Sequence, residues 1–442
     1  MRAESDRARL SWWVLLGILA TCVFYAPHPA IAQSTNPQVP YFLGPPEIDL
    51  GWTPGESPAS TPQEVEDIST PRTGLLNLGP AQQPLIFLAK NTDKLDDATG
   101  LRLAVAYIMP FMQATGSPGN RYGGAGDLHF LSTWTLVGRH SKNNGQLIVT
   151  GDYRFAIGSQ PPFALRGSVG TLIGISSGFS DRGWALEQAY WAQRLLDGRL
   201  RFIIGRADPG FFIGTHWLQS VDISFMNRHF SGHPSMVAPG DTPLAGFSIR
   251  PGTGNLFYFT AATSNAYGET TKIELGSLFN HWDLFTFGEV GITPTFKVGR
   301  GRYSVGVWHM AERHRDGLPA DTGVTLSLNQ SFGEKLTCFA RYGYAGATLD
   351  QPGADVKHLA QGGLGERGLF SGNLDDLAGI AFSVAIPGNS TLRNEKVLEA
   401  FYRKQVTGHT QFSLGAQAIF DPSRAVTSDT VGVFYVRLRT SF

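Results

Sequence analysis

The chain has 442 residues, with 36 Lys and Arg against 36 Asp and Glu, 53 glycines, 12% aromatic residues and only 16% charged ones. A soluble domain ordinarily carries about 25% charged residues, and a balanced charge argues against a nucleic-acid partner. Beyond the N-terminal region no stretch reaches the roughly 18–20 apolar residues of a spanning helix, so a helical membrane protein is excluded as well.

Taken in chain order, the first element is an export signal over residues 1–32. Arg2, Arg7 and Arg9, diluted by Glu4 and Asp6, precede an apolar run from Leu10 to Ala26. Pro27-His28-Pro29-Ala30-Ile31-Ala32 follows, with small residues where a signal peptidase would cut before Gln33. A membrane anchor is the alternative, but a proline-bracketed small-residue site favours cleavage. Thr21 before Cys22 is too large for a lipoprotein site. Cys338 is then the remaining cysteine, which excludes a disulfide and a cysteine metal site.

Residues 33–99 read as a proline-rich periplasmic lead. Ten prolines fall between Ser34 and Pro84, and such a stretch predicts a largely disordered segment. A short helical turn is expected near residues 85–97.

From residue 100 to 442 the texture changes to strands of about ten residues separated by turns. Leu101, Leu103, Val105 and Tyr107 alternate with Arg102, Ala104 and Ala106. Tyr303-Val305-Val307 alternates with Ser304-Gly306-Trp308, and Cys338-Ala340-Tyr342 with Phe339-Arg341-Gly343. Leu398-Ala400-Tyr402 alternates with Glu399-Phe401-Arg403, and Leu414-Ala416-Ala418 with Ser413-Gly415-Gln417. Successive strand residues point to opposite sides. One face is thus aliphatic with aromatic ends and the other small, polar or charged, as in a barrel with a lipid face and a wet lumen.

Asp197-Gly198, Gly299-Arg300-Gly301 and Phe332-Gly333-Glu334 read as tight hairpins. Longer connections are expected at about 112–126, 207–252, 311–322, 347–376 and 421–430, and the 207–252 stretch as an inward constriction loop. Gly123-Gly124-Ala125-Gly126 reads as a loop or turn. About 340 residues at roughly 20 per strand and connection predict an all-β transmembrane antiparallel barrel of about 16 strands, with short periplasmic turns and longer extracellular loops. The final strand puts Phe434, Val436, Leu438 and Thr440 on one face and Tyr435, Arg437, Arg439 and Ser441 on the other. Its last residue, Phe442, is expected to be the insertion signal for the barrel-assembly machinery.

The chain resembles a carbohydrate-selective porin of the OprB type in three blocks. The first runs from Leu186-Glu187-Gln188 through Gln193 and the Asp197-Gly198 hairpin to Gly205-Arg206. The second joins Arg393-Asn394-Glu395 and Glu399-Ala400-Phe401-Tyr402-Arg403 to Gln417 and Asp421-Pro422, and the third is the terminal arginine-bearing strand. Gly138 to Gly145 stands where the family carries a Gly-Trp-Pro-Gly-like turn, a departure that bears on sugar preference. The resemblance implies a 16-stranded outer-membrane barrel passing sugars by passive diffusion.

A sugar channel needs groups that replace water hydrogen bonds yet release the solute. By parity the candidate pore-lining and substrate-contacting residues are Trp308, Arg341, Glu399, Arg403, Gln417, Arg437 and Arg439. The charged ones could instead pair across strands and only hold the wall, and Trp308 could be an interface anchor near a strand end. So many arginines predict a locally positive lumen, so a general or anion-preferring porin is the alternative. An outer-membrane hydrolase is less favoured, because His233-Pro234-Ser235 has a catalytic spacing but a proline-rich, loop-like setting. The remaining histidines and glycines form neither a metal site nor a nucleotide loop. The chain is therefore expected to be no enzyme and to use no cofactor. The expected partners are sugars, outer-membrane lipid and, in a homo-oligomer, further copies of the chain.

Overall fold

A computed structural model describes residues 56–77, 79, 83–117, 119–252, 256–346, 356–425 and 428–442. The signal segment 1–32, the lead up to residue 55 and the tip of the connection at 347–355 lie outside them. The barrel wall consists of β1 (Leu101–Ala114), β2 (Tyr122–Val137), β3 (Gly145–Ala156), β4 (Gly183–Leu195), β5 (Leu200–Ala207), β6 (Thr242–Ile249), β7 (Phe257–Asn265) and β8 (Leu284–Ile292). It continues through β10 (Gly299–Met310), β11 (Asp321–Phe332), β12 (Leu336–Ala345), β13 (Val356–Arg367), β14 (Leu377–Pro387), β15 (Glu395–Gln405), β16 (Thr410–Phe420) and β17 (Thr430–Ser441). The two-residue β9 (Thr295–Phe296) only extends the β8–β10 hairpin. Each long strand pairs antiparallel with the next, and β1 closes on β17 from Ala106↔Ser441 to Ala114↔Val433. The result is a closed barrel of 16 long strands, which leaves no free sheet edge.

Alternation in the wall follows the sequence. On β17 Phe434 is 58% exposed to the outside, whereas Tyr435, Arg437 and Arg439 are buried on the lumenal face. Leu414 and Trp184 are outward in the same way. Connections are short at one end, as at 196–199, 333–335 and 406–409, and long at the other, as at 157–182, 208–241 and 266–283. This asymmetry is that of an outer-membrane barrel. In the β4–β5 hairpin Leu196, Asp197 and Gly198 all take positive φ (55°, 57° and 81°), a turn whose twist suits adjoining strands.

Several boundaries differ from the sequence expectation. Gly123 to Gly126 belong to β2, not to a loop. A Cβ on Gly126 would lie 2.3 Å from the Phe155 ring and one on Gly123 2.9 Å from Leu165, so close packing rather than turning selects glycine there. The 207–252 connection contains β6, disguised by Pro243 and Gly246, and 347–376 contains β13, disguised by Gly362, Gly363 and Gly365. Gly299-Arg300-Gly301 opens β10, and the reversal falls just before it, at residues 297–298.

The lead is also more structured than expected. A helix spans Thr61–Ser69, started by Pro62 in its first turn, with Glu64, Val65 and Asp67 buried. A second helix, Gln83–Thr99, replaces the expected short turn. Arg139 caps its C-terminal end, donating to the carbonyls of Asp96 (3.2 Å), Asp97 (3.1 Å) and Ala98 (3.2 Å), in the last turn, where helix carbonyls run out of intrahelical donors; Asp96 also accepts from the Gly100 N–H at 2.7 Å.

Candidate solute passage

Two long loops fold back into the lumen, 157–182 and 208–241. The larger carries an apolar run that cannot face water: Leu218, Ile223, Phe225, Met226 and Phe230 pack against Phe339, Leu377, Val397 and Phe401 of the wall. His216 stacks on Phe339 with ring centroids 3.8 Å apart, and Phe225 meets Phe401 edge-on at 5.0 Å. Toward β8 and β10 the same loop seats Phe212, Ile213, Met236 and Val237 against Phe285, Phe287, Trp308 and Met310.

A folded-in loop brings backbone polar groups that need partners, and the seven sequence candidates show how they are met. Arg341 donates to the carbonyls of Gly214 (3.0 Å) and Gly232, to Gln219 Oε1 (2.7 Å) and to Gln361 Oε1 (3.1 Å). Arg437 donates to the carbonyls of Val221 and Ser224 (3.1 Å), and Arg403 to those of Ile223 (3.0 Å) and Asp375 (3.3 Å). Glu399 accepts from the Met226 N–H (2.8 Å), the Asn227 N–H (2.9 Å) and the Tyr435 hydroxyl (2.8 Å). Gln417 donates to the Ile175 carbonyl at 3.0 Å and accepts from Asn227 Nδ2 at 2.9 Å, tying both loops together. Arg439 reaches Glu64 (3.5 Å) and Asp67 (3.6 Å) of the inner helix. Trp308 is 1% exposed and packs with the loop's apolar residues. All seven point inward, and the loops or the inner helix cover each of them.

Among the described residues, open space inside the lumen lies elsewhere, against β2, β3 and β4. A cavity of about 510 Å³ is lined there by Asp127 and His129 of β2, Thr150 and Arg154 of β3, and Glu187 and Gln188 of β4. The loops contribute Phe163, Arg182, Asp208, Phe211, Asp222, Arg228 and Asp241, and the inner segment Ala59, Thr61 and Glu64. Among the described residues none of the seven sequence candidates lines it.

Its polar wall is a network of alternating charge. Arg154 Nε stands 2.7 Å from both Asp127 and Asp152, and its Nη2 lies 2.9 Å from Glu187. Arg182 reaches the same Glu187 at 2.6 Å and also contacts Asp152. Strand geometry explains the convergence. Asp127 and His129 share one face of β2, and Thr150, Asp152 and Arg154 one face of β3. Glu187 is the extra residue of a β-bulge, since Thr150 pairs with Gln188 and Gly151 with Leu186. A bulge re-aims a side chain, and both Glu187 and Gln188 reach the cavity.

The lining holds six carboxylates (Glu64, Asp127, Glu187, Asp208, Asp222 and Asp241) and three arginines (Arg154, Arg182 and Arg228). In this lining carboxylates therefore outnumber arginines. Burial pushes the loop carboxyls Asp208 and Asp222 up to about 6, and Asp241 rises for the same reason. Among the described residues two groups could offer atoms to a cation: Glu64, His129 and Asp222, and Asp127, His129 and Asp152, each with ligand atoms within 4.8 Å of one another. Protein cations already stand in both, Arg439 beside Glu64 and Arg154 beside Asp127 and Asp152. The His233–Ser235 pair is also formed, Oγ to Nδ1 at 3.4 Å. Ser235 is 1% exposed and sits against Gly343, where a Cβ would come within 1.8 Å of its hydroxyl.

No family model matches this sequence, and no curated protein does. Among solved structures, Pseudomonas putida OprB at high pH superposes with a TM-score of 0.65 at 14% identity, covering 80% of this chain and 97% of that one. The same protein at low pH gives 0.49 at 15% identity, over 80% and 96%. The outer-membrane channel DcaP of Acinetobacter baumannii gives 0.48 at 11% identity, over 77% and 97%. The likeness is one of fold: this chain has the closed 16-stranded architecture of the outer-membrane porins.

Proposed function

We propose that this chain is an outer-membrane porin passing small neutral, hydroxyl-rich solutes of the carbohydrate class by passive diffusion. The observation that carries the reading is the Arg154–Arg182–Glu187–Asp127–Asp152 network on the wall of the cavity. Guanidinium and carboxylate groups that neutralise one another still present donors and acceptors to sugar hydroxyls, without holding an ion. Such exchange of water for protein hydrogen bonds is nearly even, which a channel needs if its solute is to leave again. Phe163 and Phe211 also line the space and offer apolar faces to a pyranose ring. A general diffusion porin is the second reading. The excess of carboxylates in the lining weighs against an anion-preferring form of it.

Single-channel recording in planar bilayers tests the proposal. The wild-type channel should conduct salt, and added mono- and disaccharides should interrupt the current in a concentration-dependent way. In an Arg154→Gln, Arg182→Gln double variant the half-blocking concentration should rise about tenfold, the loss of one charge-assisted hydrogen bond of roughly 1.5 kcal/mol. Salt current that no sugar interrupts would leave the general porin as the description.

A further inference from the structure

We infer that residues 56–76 form an internal plug that sets the upper size limit of the passage from its short-turn end, an inference that rests on the porin reading above. The segment runs through the lumen and is fastened along its whole length. At its start Glu56 pairs with Arg201 of β5 at 2.7 Å, and Ser57 N–H donates to the Phe211 carbonyl at 2.8 Å. In the middle the helix Thr61–Ser69 lies against β1, β2 and β3. Thr61 bonds Thr150, Val65 packs on Ala104 and Leu131, and Arg439 of β17 holds Glu64 and Asp67. At its end Leu75 and Leu76 N–H groups donate to the carbonyls of Gln405 (3.0 Å) and Val406 (2.8 Å), at the short turn between β15 and β16.

Two features give this segment a role in passage. Barrel closure does not use it, because β1 pairs directly with β17. Ala59, Thr61 and Glu64 form part of the cavity wall itself, so the segment bounds the space a solute must cross. A helix with its side chains is about 10 Å across, a large share of the lumen of a 16-stranded barrel. The small residues Ala104 and Ala106 on the inner face of β1 are the sequence counterpart, leaving room for the helix to lie close to the wall.

Purified protein lacking residues 56–76 should keep the heat-dependent gel shift of a folded barrel. Its single-channel conductance should rise about twofold, and liposome swelling with the trisaccharide raffinose should rise about tenfold relative to glucose. A second variant, Ala59→Trp, keeps the segment and adds bulk to the cavity. It should about halve conductance and slow a disaccharide more than a monosaccharide. A folded deletion variant with unchanged conductance and size limit would overturn the inference. So would an Ala59→Trp channel identical to wild type, even if the deletion fails to fold. Wild-type protein that passes no ions at all would instead remove the porin reading.

Discussion

The lumen has two halves that use the same side chains differently. Facing β10 to β17, arginines 341, 403 and 437 spend their N–H groups mainly on backbone carbonyls of loop 208–241. Facing β2 to β4, Arg154 and Arg182 spend theirs on carboxylates. An inward arginine on a barrel strand is therefore not by itself a sign of a solute site. Where the partner is a carbonyl, the arginine fastens a loop and leaves no open space; where it is a side chain on the wall, the surface stays available to solute.

The largest effect that would break this division is loss of an anchor. Replacing Arg341 by Met leaves the carbonyls of Gly214 and Gly232 buried without their guanidinium donor, and Gln219 Oε1 with only the His216 N–H at 3.3 Å. At roughly 1.5–3 kcal/mol per charge-assisted bond and with imperfect rehydration, about 3 kcal/mol of loop attachment should be lost. The temperature at which the folded gel form disappears should fall, and the channel should show noisy, enlarged conductance as loop 208–241 loosens. A quiet channel of unchanged size would show that the arginine is a spectator. Trp308 sharpens the contrast from the apolar side. Trp308→Ala empties a space between Phe285, Met310 and the loop and should cost about 3 kcal/mol. Sugar block should nevertheless stay near the wild-type value. A large change in block with unchanged thermal stability would put the indole in contact with solute.

Much of the barrel was legible in the sequence because a strand's period of two is strict wherever one face meets lipid. β17, β15 and β16 show it, as does the Asp197-Gly198 hairpin. Two strands were hidden because their residues look like loop: β6 carries Pro243, and β13 three glycines, of which Gly363 and Gly365 fit against neighbours. The candidate residues were harder to rank, since parity reports which way a side chain points and not what stands opposite. The inward loops and the inner helix come from distant sequence, and they cover the cationic strands near the C-terminus. The signal for the open wall was present in Asp127-Leu128-His129 and in Thr150-Gly151-Asp152-Tyr153-Arg154. Glu187 could not be found this way, because its bulge breaks the alternation. The inner helix escaped notice because prolines at 58, 62 and 71 suggested disorder. Pro62 in fact occupies a helix first turn, where a missing N–H costs nothing.

The smallest expected effect concerns acidity, and it separates the wet half from the packed half without disturbing either. Asp208 and Asp222 lie on the loop face of the cavity, and burial raises both to about 6. Glu187 and Arg228 stand near the first, Glu64 and His129 near the second. A raised carboxyl is neutral on the acid side of its midpoint and charged above it. Between pH 5 and pH 7.5 the passage should therefore gain up to two negative charges, and preference for potassium over chloride should grow as pH rises. The sign for stability is opposite. The unstrained, protonated form is favoured in the folded loop, so this contribution is fully present at low pH and is lost as pH rises through 6. Reversal potentials in asymmetric potassium chloride measure the first effect, best at low salt, where screening is weak. Asp208→Asn with Asp222→Asn should flatten the pH dependence, whereas Trp308→Ala, a neutral change on the packed side, should leave it in place. A pH shift that survives the double Asn variant would assign the titration to other groups on the wall and remove these two carboxyls from the field that a permeating ion meets.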